Sequence, residues 1–445
     1  MNQRRLLSVI GILLAALLLD GCSAFKYMTG DQGVALTPEV ATARTPVYRP
    51  GDWTIARGTV HNHTTYSDGQ RTPEDLIELA RREGMAIVAI NDHAVGKIRV
   101  GNAFNLSFNG IEKVGYKDYL DHIGRLKAAN PDLIILPGIE AMPYLWNMGK
   151  APNFVIFGEN NHFTVYGITD PAVFDAMPYR KELPNLSPEP FPGYAPYQRF
   201  VDYILDHGGL IDAVHVDSKM DDWYGPAHFL MPGPVNEIHD LRGLTGFSIL
   251  PEGYSELAGG AGGSWDAALV EYLVGGRDQV PWALGDADYH EVTDTLAWAT
   301  TLFYLRELTE PEVYRAMREG RMVALMGTVF NDAYVAEFSV SADGAAPDPI
   351  MFGQKTTVAA APVVRFRLNR EIPGVSARLI RNGKVVHRVA ACDFEFSDRE
   401  TFERRLPAVY RVELTGPTVP GAHGESPHHE TNSKLFTNPI FVYLK

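Results

Sequence analysis

Between Thr59 and Gly327, short apolar runs repeatedly end on a histidine or a carboxylate, and amphipathic helical patterns separate them. Thr59-Val60 leads to His61 and His63. Met85–Ile90 leads to Asp92-His93, Leu133–Leu136 to Glu140, Leu210–Val214 to His215, and Val280–Leu284 to Asp288 and His290. The intervening segments carry apolar residues at helical spacing: Leu76, Leu79 and Ala80, then Tyr119, Leu120, Ile123 and Leu126, then Phe200, Val201, Ile204 and Leu205, then Trp265, Ala268, Leu269 and Tyr272. Thr72-Pro73-Glu74-Asp75 reads as an N-cap with a first-turn proline and early acids. Gly84, Asn130-Pro131 and Gly208-Gly209 read as stops. Alternating strand and helix restricts the chain to an α/β barrel or a doubly wound sheet. Polar donors gathered at strand carboxyl ends select the barrel.

At 445 residues the chain has room for such a barrel and a smaller module. The pattern changes near Phe330. Tyr334–Val340, Thr356–Ala359, Val363–Leu368, Ala377–Ile380, Lys384–Val389, Tyr410–Leu414 and Ile440–Leu444 are short and β-rich, and Asn382-Gly383 signals a hairpin. The expected organisation is a signal at 1–22, a tether at 23–56, the barrel at 57–330 and a small antiparallel β-domain at 331–445. The stretch Asn147–Gln198, rich in Pro, Tyr and Asn, is expected as long loops over the barrel mouth that shape a substrate pocket.

A net charge of −14 makes the chain a poor non-specific nucleic-acid binder, which needs lysine and arginine to displace counterions. At the amino terminus, Arg4-Arg5 precedes an apolar run over Leu6–Leu19, shorter than the roughly 20 residues of a bilayer span. Leu19-Asp20-Gly21-Cys22 then resembles a bacterial lipoprotein signal. The resemblance implies acylation at Cys22, a membrane anchor and a periplasm-facing place in the cell envelope; a plainly cleaved signal implies secretion instead. With Cys22 acylated, Cys392 has no disulfide partner within the chain.

Taken singly, each polar strand end has a dull reading. A lone histidine is more often hydrogen-bonded than metal-bound, and Glu140 after Pro137-Gly138 suits a turn. Together His61, His63, Asp68, His93, Glu140, His162, His215, Asp288 and His290 are hard to explain as packing. Imidazole and carboxylate are the usual ligands of zinc, manganese and iron. Unpaired, such a cluster costs several kcal/mol per buried ion, a cost that bound cations remove. His122, His207, His228 and His239 have helical or loop settings and are read as non-ligands. His428-His429 is read as an exposed turn. Lys97, Arg99 and Lys219 follow the donor motifs closely and are candidates to grip a substrate phosphate, although solvated surface charge is the commoner fate of such residues.

His-x-His-x4-Asp-Gly, Asp-His, Gly-Ile-Glu, a histidine opening a strand, a further strand-end histidine and a closing Asp-x-His resemble the PHP (polymerase and histidinol phosphatase) family over roughly residues 57–326. The resemblance implies a distorted (β/α)7 barrel with two or three divalent metals (manganese, zinc or iron) at its mouth. By position it implies one metal on His61, His63, Glu140 and Asp288, a second on Glu140, His162 and His215, and a third on Asp68, His93 and His290. Asp288 keeps the Asp-x-His spacing, so Asp286 is expected behind the ligands. Asp92 is expected to orient a ligand imidazole and, with Asp288 and His290, to belong to the catalytic set. The implied activity is hydrolysis by a metal-bridged hydroxide, most simply of a small phosphorylated substrate. A branch resembling carbaryl hydrolases implies carboxyl-ester, carbamate or amide substrates instead. A different class, an envelope lipoprotein that binds a ligand or partner without catalysis, predicts a closed structural metal site. The oligomeric state has no signal in the chain.

Overall fold

The structure is a computed structural model that describes residues 46–100, 104–179, 182–183, 188–342, 348–418 and 432–445. The signal segment with Cys22, most of the tether, and His428-His429 lie outside the described residues.

Seven strands neighbour one another in chain order: β1 (Thr54–Thr59), β2 (Ile87–Ile90), β3 (Ile134–Ala141), β4 (Phe163–Tyr166), β5 (Leu210–Ala213), β6 (Gly246–Leu250) and β7 (Trp282–Gly285). Every residue of β1, β2 and β4 to β7 is buried, as expected of strands covered on both faces. The β1–β2–β3 and β5–β6–β7 pairings are parallel. β4 runs against both neighbours, with Val165 opposite Ile139 on one side and Ile211 on the other. The mouth therefore collects the carboxyl ends of the parallel strands and the amino end of β4. That is why His162, which precedes its strand, arrives beside residues that follow theirs.

The barrel closes at the mouth. Ala287 N donates to Val60 O (3.0 Å), Tyr289 N to His61 O (3.2 Å) and His63 N to Tyr289 O (2.9 Å). The packed helices include α1 (Pro73–Arg82), α2 (Tyr116–Ala129), α3 (Ala195–Asp206), α4 (Ser264–Leu273) and α5 (Glu310–Glu319). Thr72 caps α1 by accepting from Asp75 N at 3.2 Å, and the predicted faces of α1 and α2 are the buried ones.

β8 (Ala299–Leu305) pairs antiparallel with β1 along most of its length, and β9 (Met322–Met326) with β8. Alternate residues of these strands serve two cores. Phe303, Met322, Ala324 and Met326 face the barrel core; Leu302, Tyr304, Val323 and Leu325 face the core of the C-terminal β-region. Beyond them lie β10 (Val335–Ser341), β11 (Lys355–Val358), β12 (Val363–Leu368), β13 (Ser376–Arg381), β14 (Lys384–Val389), β15 (Asp393–Ser397), β16 (Ala408–Thr418), β17 (Asn432–Thr437) and β18 (Ile440–Leu444). The order β9–β17–β16–β13–β14 continues the barrel sheet without a break, and β10–β12–β15 form a separate antiparallel sheet. The expected antiparallel pattern has one exception, since β11 pairs parallel with β18. Asn382 and Gly383 have φ of 49° and 78° and turn β13 into β14, the left-handed pair that a two-residue hairpin needs.

The stretch expected as loops over the mouth is more ordered than its composition implies. It supplies β4 and α3, and it places Trp146–Asn147 and Asn153–Phe157 in a small sheet with Met220–Tyr224 and Ala227–Met231. Leu145, Phe154, Ile156, Phe229 and Met231 give that sheet a core of its own. Apolar alternation over Phe154 and Ile156 is the signal that the surrounding prolines and asparagines mask. Among the described residues no helix is long and apolar enough to cross a membrane.

Candidate metal centre

The other eight donors gather around Glu140, which sits at the mouth end of β3 and is 1% exposed. Its two oxygens address different partners. Oε1 lies 3.2 Å from His61 Nε2, 2.8 Å from His162 Nδ1 and 3.1 Å from His215 Nε2. Oε2 lies 3.3 Å from His63 Nε2 and 2.6 Å from His93 Nδ1. Asp288 Oδ1 faces His61 Nε2 at 3.3 Å and His63 Nε2 at 3.5 Å. Asp68 completes the far side, 3.5 Å from His63 Nδ1, 3.5 Å from His93 Nε2 and 3.4 Å from His290 Nε2.

Local backbone geometry aims these groups. His61, His215 and Asp288 have φ of 60°, 37° and 41°, in the left-handed region that non-glycine residues rarely occupy. Each costs about 1–3 kcal/mol, so the fold holds strain where strand ends turn inward. The glycine of the opening motif has a steric reason: a Cβ on Gly69 would lie 2.3 Å from the His63 carbonyl carbon. Only a bare backbone lets Asp68 return beside His63.

Behind the donors stand groups that fix them. Asp286 Oδ2 lies 3.1 Å from His61 Nδ1, the place expected of it, and leaves Nε2 turned toward Glu140 and Asp288. Asp92 departs from expectation. It bonds Thr64 N (2.7 Å), Thr64 Oγ1 (2.8 Å), Ser67 N (3.1 Å) and Ser67 Oγ (2.7 Å), and not an imidazole. Its influence passes through Ser67, whose Oγ is 3.2 Å from His63 Nδ1. Asp92 is thus a positioning residue, because a fully buried carboxylate satisfies itself on the nearest donors, here the 64–67 turn. Asn91 Oδ1 accepts from His61 N at 3.1 Å, and Asn62 Nδ2 donates to Ala89 O at 2.7 Å.

Lys97, Arg99 and Lys219 are exposed, and none takes part in the contacts around Glu140. Lys97 and Arg99 lie on the strand Lys97–Val100. Four further histidines that the sequence reads as non-ligands have partners of their own. His122 bridges Tyr66 OH and Glu74, His207 bonds Tyr203 O, His228 pairs with Asp221 and His239 with Asp240.

Sequence reading misses a buried polar rim. Glu159, Asn160 and Asn161 precede His162 and are buried. Asn160 Nδ2 donates to Met231 O at 3.2 Å and Asn161 Nδ2 donates to Glu237 Oε1, tying the approach to His162 to the small sheet and to the turn Glu237–Asp240. The Glu-Asn-Asn-His run was the available signal.

The electrostatics are those of a site built for positive charge. Burial pushes Glu140 up, but His93, His61 and His162 outweigh it and hold the carboxyl well below its ordinary range. Burial likewise opposes ionisation of Asp68, which His290 and His93 reverse, and of Asp288, which His61 and His290 reverse. His63 is driven down to about 3 by burial and by neighbouring His290 and His93. Burial lowers His290, yet Asp68 and Asp288 bring it up to about 9. Burial, with neighbouring Asp68, raises Asp92 to about 6 against its hydrogen bonds from Thr64 and Ser67, and burial raises Glu159 to about 7 against His215 and His93.

The donors also fit cations by what they lack. His61 Nε2, His63 Nε2, Asp68 Oδ1, Glu140 Oε2, His162 Nε2, His215 Nδ1, Asp288 Oδ1 and His290 Nε2 are buried and make no hydrogen bond. Orphaned buried polar atoms are rare, and so many in one place need a common partner. Donor atoms about 2.1 Å from one ion stand roughly 3–3.5 Å apart, the spacing of most pairs above. Three groupings have donor atoms within 4.8 Å of one another: His63, Asp68, His93 and His290; His61, His63 and Glu140; and His93, Glu140 and His162. The first adds His63 to the set implied by family resemblance, and the third takes His93 where His215 was expected.

The sequence profile of the PHP domain matches residues 59–193, which hold His61 to His162; the fold brings His215, Asp288 and His290 to the same place from beyond that stretch. Comparison with curated proteins finds no match. Similar solved structures include a two-domain protein from Bacteroides vulgatus containing a predicted PHP-like metal-dependent phosphoesterase (10% identity, 84% of this chain and 94% of that one, TM-score 0.39). Others are a lesion-specific endonuclease from Pyrococcus furiosus (13%, 59% and 56%, TM-score 0.32) and an amidohydrolase from Chromobacterium violaceum (15%, 60% and 97%, TM-score 0.29). Within the mixed α/β barrel of this chain, residues 59–193 are therefore similar to the PHP domain, and the histidines and carboxylates at the mouth group as candidate metal ligands.

Proposed function

We propose that the chain is a metal-dependent hydrolase acting on a phosphoester of a small molecule. The observation that carries this reading is the ring of orphaned imidazole and carboxylate atoms around Glu140 at an open barrel mouth, where a structural site would be closed and smaller. Glu140, Asp288, His61 and His63 would hold one cation, and Asp68, His93 and His290 another, with His162 and His215 on the remaining side of Glu140. Divalent cations held there acidify water and draw charge from the oxygens of an electrophile.

The chain's own residues do the rest. Asp286 fixes the orientation of His61, and Asp92 with Ser67 fixes that of His63. Strained turns at His61, His215 and Asp288 place donors before substrate arrives, so little reorganisation remains at the moment of reaction. Glu159 and Asn160, buried just ahead of His162, line the approach to that donor.

The deciding experiment is turnover of p-nitrophenyl phosphate, its diester and p-nitrophenyl acetate, with Mn²⁺ or Zn²⁺ returned after chelation. Phosphoester turnover that depends on added metal is the expected result. Turnover of the acetate alone replaces this reading with a carboxyl-ester or amide hydrolase. No turnover on any of them at full metal loading replaces it with a binding lipoprotein. The envelope location is a separate proposal that rests on the sequence of residues 1–22. A Cys22→Ser chain that leaves the membrane fraction supports it, and one that stays refutes it.

A further inference from the structure

The C-terminal sheet carries a second concentration of charge, of opposite kind to the mouth. Its strands β17, β16, β13 and β14 lie side by side and form the floor of a cleft of about 380 Å³. Register puts like charges together: Arg378 stands directly opposite Arg388, a cross-strand pair that repels. Lys434 stands opposite Thr415, and Thr415 opposite Ser376 on the next strand.

The carboxylate on this floor is already committed. Glu413 is 1% exposed; one of its oxygens is paired with Arg378 and the other with Arg411. Arg388 has no ion pair among the described residues and Lys434 has none either, its Nζ lying 5.4 Å from the Tyr254 ring. Burial and the neighbouring Arg378 lower the Lys434 ammonium, as expected where positive charge is undercompensated. In a chain with a net charge of −14 this is a deliberate local excess. The lining is mainly polar, with hydroxyls from Ser376 and Thr415 beside the cations.

We propose that this cleft is a binding site for a tetrahedral oxyanion group carried by a small molecule, held by Arg378, Arg388 and Lys434 with Thr415 and Ser376 as hydroxyl partners. Guanidinium groups suit such an anion because their fixed N–H forks match its oxygens, and an anion between Arg378 and Arg388 turns a repulsive pair into a clamp. The volume admits the anion with a modest organic part. The site is distinct from the Glu140 cluster, since none of its residues takes part there, and it does not depend on the hydrolase reading.

The test is calorimetric titration of inorganic phosphate into the full metal-loaded chain at low ionic strength, compared with Arg388→Ala, Lys434→Gln and the double variant. Arg388 is exposed and Lys434 only half-buried, so both changes should leave the fold intact, to be checked by circular dichroism. Each removal should weaken one binding event roughly tenfold, the worth of a charged hydrogen bond. Arg388→Glu should abolish it. His61→Ala, which disturbs only the mouth, should retain it. Binding that survives unchanged in the double variant, binding that disappears in His61→Ala, or no binding to the unmodified chain would each overturn the proposal.

Discussion

Two of the buried charge assemblies among the described residues differ in how completely they satisfy themselves. At the joint between α4 and the C-terminal sheet, Arg411 is 1% exposed and every arm is engaged. Its Nε and Nη2 bond the two oxygens of Asp266 at 2.7 and 2.8 Å, Nη2 also reaches Gly259 O at 3.2 Å, Nη1 pairs with Glu413, and the guanidinium lies 4.6 Å over Trp265. At the mouth, buried atoms of His61, His63, Glu140 and Asp288 are left without hydrogen-bond partners. Both assemblies cost desolvation. The first recovers it within the chain, so its role ends with holding α4 to β16. The second recovers it only with something added, and that incompleteness separates a binding centre from a structural ion pair.

The largest effect should come from breaking the incomplete assembly. His61→Ala removes a donor that faces both Glu140 and Asp288, and turnover should fall by roughly 10²–10³-fold or more at any metal concentration. Circular dichroism should stay native, because the main-chain bonds that tie residue 61 to Asn91 and Tyr289 do not need the imidazole. Stability unchanged with turnover unchanged would remove the centre from the mouth. The satisfied assembly should answer in the other currency. Arg411→Met strands the buried carboxylate of Asp266, leaves Glu413 with Arg378 alone, and should cost about 3–5 kcal/mol in a urea titration, with turnover per folded molecule intact. Loss of turnover in a folded Arg411→Met chain would mean the two assemblies are coupled.

Smaller, and more diagnostic, is Asp286→Asn. The carboxylate lies behind His61 and not among the orphaned donors, so its loss should weaken metal affinity roughly 10–100-fold, and saturating metal should restore turnover. Metal titration of activity reads this directly. Turnover that stays low at saturation would promote Asp286 to a ligand.

Much of the mouth was legible because a barrel maps chain order onto position. Most donors followed an apolar run, and apolar runs became strands whose ends gather. His162 was legible only by resemblance, since it begins its strand, and the reversal of β4 that rescues it is a three-dimensional fact. The backbone strain at His61, His215 and Asp288 has no sequence signature, because nothing in those residue types announces a left-handed turn. Lys97 and Arg99, which follow a donor motif closely in sequence, lie exposed on the strand Lys97–Val100, an exposure that their position after the motif does not announce. Beyond Phe330 the strands were legible by alternation. Their continuity with β9 was not, because cross-strand pairing between residues as distant as Val323 and Thr437 leaves no local trace.

The finest distinction concerns Asp92, read from sequence as a partner of an imidazole and found bonding the 64–67 turn. If it acts on His63 through Ser67 alone, Ser67→Ala should reproduce part of its loss. The alanine removes the Oγ that lies 2.7 Å from Asp92 and 3.2 Å from His63, and leaves the Asp92 bonds to Thr64 in place. One hydrogen bond of this kind is worth about 0.5–1.5 kcal/mol, so metal affinity should drop by less than about tenfold. Asp92→Ala should drop it further, because the whole turn that carries His63 toward Asp68 then loses its anchor. Equal effects from the two variants would place the entire influence of Asp92 in the serine. No effect from Ser67→Ala, with a large one from Asp92→Ala, would assign it to the backbone of the turn, and His63 would then owe its orientation to chain path and not to a hydroxyl.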